Sequence, residues 1–190
     1  LGRRRAAATD DPSERAAWIA RADSALAQLL LDHPDHLPSL SASLARSWRD
    51  RRDLESLPTA VLLARGVADA RQSPDAAIAC LRIATDRDDR VSRAFAGEAF
   101  WRLAAALYRR GKGAGEAGWA DRSAAAEVFR RLAQEHSDDE RALDAGRNAA
   151  RILIRRIDDL EAAGRPVAPD LRKRCAVALE LITGRWPGQV

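Results

Sequence analysis

Methionine is absent from this chain of 190 residues, cysteine occurs twice, tyrosine once, and aromatic residues together make up only 5%. Two isolated cysteines without CxxC spacing write no disulfide framework. Cys80 and Cys175 each fall among apolar positions where a small buried hydrophobe fits. Long apolar runs are missing too: charges interrupt every candidate well short of the ~20 residues needed to cross a bilayer, which excludes membrane insertion. The β-branched and aromatic residues that build strands are scarce. With no methionine and Leu1 in first place, the expectation is a processed chain or part of a larger protein or complex. The N-terminus then carries no argument about compartment; a cytoplasmic location is favoured and a periplasmic or exported one stays open.

Alanine and arginine fill the space. The chain holds 41 Ala and 30 Arg against 2 Lys, and 46% of it is hydrophobic and 32% charged. Strong helix formers at that density predict an all-α fold. The net charge is +4, from 32 basic and 28 acidic residues. Residues 1–140 are balanced at 22 of each sign, so the whole excess lies in 141–190, with ten basic and six acidic side chains. An anionic partner is expected there.

Apolar spacing predicts eight amphipathic helices. Residues 1–10 form a basic, flexible arm without apolar period, 11–184 a single helical domain, and 185–190 a tail. Asp11, Pro12 and Glu14 make a capping-box arrangement that starts a helix over about 12–32, and Pro34 stops it. Pro38 starts a second over 38–52, where Leu40, Leu44 and Trp48 recur at every fourth residue. A third covers about 57–71, and Ser73 caps a fourth that ends near Asp86. The fifth, about 90–110, is apolar nearly all round and reads as the centre of the core. Residues 111–118 include four glycines and read as a flexible connection to a sixth helix over 121–136. Ser137 with Glu140 forms a second capping box before a long seventh helix that Gly164 and Pro166 end. The eighth runs over about 169–183.

Short links force these helices to pack as antiparallel neighbours. The stretch Ala99 to Gly111, with Phe100, Trp101, Leu103, Leu107 and Tyr108, resembles the first helix of a tetratricopeptide repeat. Residues Ala25 to Pro38, with Leu26, Leu29, Leu30 and the His-Pro-Asp-His turn, are similar to a second helix and its terminal proline. The resemblance implies a right-handed α-α superhelix of degenerate hairpins with a peptide-binding groove. Helices longer than a 34-residue repeat allows, and a glycine loop inside one repeat, keep a compact irregular bundle as the alternative.

Four constellations bear on chemistry. Asp32, His33, Asp35 and His36 are potential zinc ligands, but a proline turn explains them and no further His or Cys cluster completes a site, so no metal is expected. The loop from Gly111 to Gly118 places Lys112 after a helix and lacks the Ser or Thr that a phosphate-cradling loop uses on magnesium, so no nucleotide cofactor is expected. His136, Ser137 and Asp138 are adjacent at a turn rather than on separate elements, so no catalytic residue is assigned and the chain reads as a non-enzyme. Arg147, Arg151 and Arg155 recur every four residues as a cationic stripe with Asn148 beside it, and these four are the candidate partner-binding residues. Asp144 and Asp158 stand where they can neutralise the stripe into an ordinary solvated face. The expected function is a non-catalytic scaffold holding an acidic peptide or protein segment in a helical groove. The alternative is low-specificity nucleic-acid binding through Arg172, Lys173 and Arg174 with Arg3, Arg4 and Arg5, against which the acidic residues of the first 140 positions argue.

Overall fold

The computed structural model describes residues 11–41, 53–70 and 72–189, and none of these is in a strand. The protein is all-helical over that span. The predicted arm 1–10, with Arg3 to Arg5, and most of the second predicted helix, including Leu44 and Trp48, lie outside the described residues.

Helix α1 (Pro12–Asp32) begins at the expected cap, where the Asp11 carboxylate accepts the Ser13 backbone N–H at 2.8 Å. A 3-10 turn (Pro34–His36) follows, and residues 37–41 are again helical. Then come α2 (Thr59–Asp69), α3 (Pro74–Asp86), α4 (Arg90–Ala94), α5 (Ala96–Gly111), α6 (Trp119–Glu135), α7 (Ala142–Ala162) and α8 (Pro169–Arg185).

Three helix-end features differ from the sequence reading. The span 90–110 is two helices, because Ser92 ties α4 to the end of α3: its hydroxyl donates to the Ala84 and Arg87 carbonyls at 3.0 and 2.6 Å. The chain turns at Phe95 (φ −113°, ψ 16°) before α5 starts. Ser73 makes no side-chain cap on α3, whose first residue, Pro74, has no N–H to satisfy. The Ser137–Glu140 capping box does not form either. Asp139 accepts the Arg141 N–H at 2.8 Å instead, and α7 opens later, at Ala142.

Packing follows chain order. Helices α2, α3, α5, α6, α7 and α8 each lie chiefly against the neighbour before and after them. Alanines make the approach close: Ala60, Ala64, Ala77, Ala84, Ala99 and Ala106 are all buried, and Gly66 leaves room for Leu81 against the α2 backbone. Three successive apolar clusters result, the first centred on α2, α3 and α5, the next on α5, α6 and α7, the last on α6, α7 and α8. Each fully buried leucine, such as Leu132, contributes on the order of 2 kcal/mol. Both cysteines are free and buried, and burial pushes their thiol pKa values up, as expected of inert core residues. No helix among the described residues is long and apolar enough to cross a membrane.

Candidate functional site

Helix α6 packs against both α5 and α7, which barely meet each other. The gap between them is a cleft of ≈ 590 Å³. Ala105, Tyr108 and Arg109 of α5 line one wall, followed by Lys112 and Gly113 of the loop. Asn148, Arg151, Ile152, Arg155, Arg156 and Asp159 of α7 line the other, with Trp119, Arg122 and Phe129 of α6 beneath. Among the described residues, six cations therefore face one carboxylate there.

Their states differ. Arg109 donates to the Ala70 carbonyl. Arg122 donates to the Gly115 carbonyl at 2.7 Å, and its Nε is buried without a hydrogen bond. Arg156 donates to both oxygens of Glu116, at 2.8 and 2.5 Å, and lies over the Trp119 ring at 5.0 Å. Glu116 also accepts from Arg165 at 3.2 Å. These bonds, those from Arg156 first, hold the Glu116 carboxyl down at about 2. The glycine loop expected to be a flexible link is thus tied to α7 and to the turn beyond it. Lys112, Arg151 and Arg155 remain: among the described residues their side chains make no hydrogen bond or ion pair.

The candidate stripe divides. Asn148, Arg151 and Arg155 line the cleft, whereas Arg147 does not: it pairs with Asp144 at 3.5 Å and donates to the Gln189 carbonyl of the tail. Four-residue steps overshoot a 3.6-residue turn by about 40° each, so Arg147 sits about 80° around the helix from Arg155. Asp144 neutralises its arginine as the spacing allows; Asp158 pairs with neither Arg151 nor Arg155 among the described residues. Sequence reasoning missed Tyr108, Arg109, Trp119, Arg122, Phe129 and Arg156, which reach the cleft only because α5, α6 and α7 converge. Lys112 was visible there, but as a weak phosphate-loop lysine.

The other candidates lie elsewhere. The basic triplet is partly consumed: Arg172 pairs with Glu161 at 2.7 Å, and Arg174 donates to the Ser123 hydroxyl at 2.9 Å. The His33 and His36 rings stand edge to face 5.6 Å apart, and no group of three metal-ligating side chains is gathered among the described residues. His136 packs on Phe100 at 5.3 Å, away from the cleft lining. Compared with known families, with curated proteins and with solved structures, the chain shows no significant match to any of them.

Proposed function

We propose that this protein is a non-catalytic interaction module, a tetratricopeptide-like stack of helical hairpins, whose α5–α7 cleft holds an acidic segment of a protein partner. The single observation that carries this reading is the set of cations Lys112, Arg151 and Arg155, which line a concave surface and meet no neutralising carboxylate among the described residues. Packing in chain order supports the stacked-hairpin part. Guanidinium forks on α7 suit carboxylates, and each charge-assisted hydrogen bond contributes about 1.5–3 kcal/mol.

The test is fluorescence anisotropy with a Glu-rich peptide against charge reversals. Arg151→Glu with Arg155→Glu should weaken binding by at least about tenfold, whereas Arg147→Glu, outside the cleft, should change it by less than about twofold. Equal affinity of the double variant and the parent would remove the cleft from recognition. Affinity that collapses steeply with salt and follows oligonucleotides instead would assign the surface to nucleic acid.

A further inference from the structure

Charge and apolar surface are layered in this cleft, and the layering specifies more than a negative partner. Lys112, Arg151 and Arg155 are exposed, whereas Ala105, Tyr108, Trp119 and Ile152 are half-buried and Phe129 is 5% exposed. Lys112, Arg151 and Arg155 thus stand at the rim, and the base is apolar apart from the half-buried Arg122 guanidinium. Ala105 has the shortest side chain on the α5 wall, beside Tyr108 and Arg109, and leaves a recess there. Arg156, which Glu116 pins over Trp119, also lines the cleft. Arg156 is therefore already neutralised, and the free cations stand on opposite walls, Lys112 beyond α5 and Arg151 with Arg155 on α7.

A uniformly acidic chain would satisfy the rim and leave the base wet. A segment with an aromatic side chain between acidic residues satisfies both, because the ring covers half-exposed apolar surface while carboxylates on either side reach the two walls. The volume falls within the range that encloses a ligand of that size. We infer that the occupant is an acid–aromatic–acid segment of a partner protein, its ring seated against Ala105, Tyr108 and Phe129. This rests on the acidic-groove reading above and narrows it.

Anisotropy of the whole chain with two fluorescein-labelled Glu-rich peptides, one with a single central Phe and one with Ala in its place, tests the inference. The Phe peptide should bind at least about tenfold tighter. Ala105→Leu fills the recess and should narrow that difference to less than about threefold; Ala105→Val makes the same test if circular dichroism shows the leucine variant misfolded. Equal affinity of the two peptides for the parent overturns the aromatic anchor and leaves the acidic groove standing. A Phe preference that persists undiminished in well-folded Ala105 variants places the ring elsewhere and also overturns it. Failure of both peptides to bind removes the groove reading itself.

Discussion

Glu116 stands on the glycine loop and grips Arg156 and Arg165, which lie 40 and 49 residues further along the chain. Its folded-state pKa, about 2, lies below the ordinary 4.5. A carboxyl with a depressed folded pKa stabilises the fold above its unfolded value and loses that contribution as pH falls through the folded one. The stabilisation from the clasp is therefore complete above 4.5 and shrinks as pH falls, and the clasp itself opens only as the folded carboxyl protonates near pH 2. A side-chain carboxyl NMR titration should place the Glu116 midpoint near that lower value, and Glu116→Gln should abolish the transition. An ordinary midpoint would mean that the clasp does not form in solution. At this scale the chain disclosed part of the cleft lining: Arg151 and Arg155 through their four-residue spacing and Asn148 as the residue beside the stripe. The departure of Arg147 did not follow, because it depends on where the cleft ends around α7 and on a tail carbonyl met only in the fold.

Among the elements, the α5–α6 junction is the most constrained. Gly111 ends α5 and Gly118 precedes α6; a Cβ on either would run into the backbone of the other. That neck holds the loop base closed and sets where Trp119 enters the cleft. Gly118→Ala should cost about 1–3 kcal/mol in urea denaturation, because backbone and not a flexible side chain must yield. Gly184 lies in α8, where an added Cβ would meet nothing within 4 Å, and as alanine it should instead gain up to about 1 kcal/mol through helix propensity. Equal effects at the two positions would refute the close-approach argument. Most helix spans were legible from apolar period and proline, α1 and α3 most clearly. The break at Phe95 was not: its cause is Ser92 bonding back to α3, a tertiary contact with no periodic trace.

For the whole molecule, packing in chain order means that terminal helices have fewer neighbours than central ones. Leu30 is the buried side chain of α1 among those described, while α5 contributes to two apolar clusters. Stability should be graded accordingly. Native-state hydrogen exchange should show the weakest protection in α1 and α8 and the strongest in α3, α5 and α6. Uniform protection across all helices would indicate a single cooperative core instead.

The all-helical class, most helix positions and the cationic spacing on α7 are properties of local sequence, since propensity, capping and a 3.6-residue period act over a few neighbours. The cleft is not such a property. Its aromatic base comes from the convergence of α5, α6 and α7, and the identity of its unneutralised cations from which distant carboxylate reaches which guanidinium; packing alone decides both.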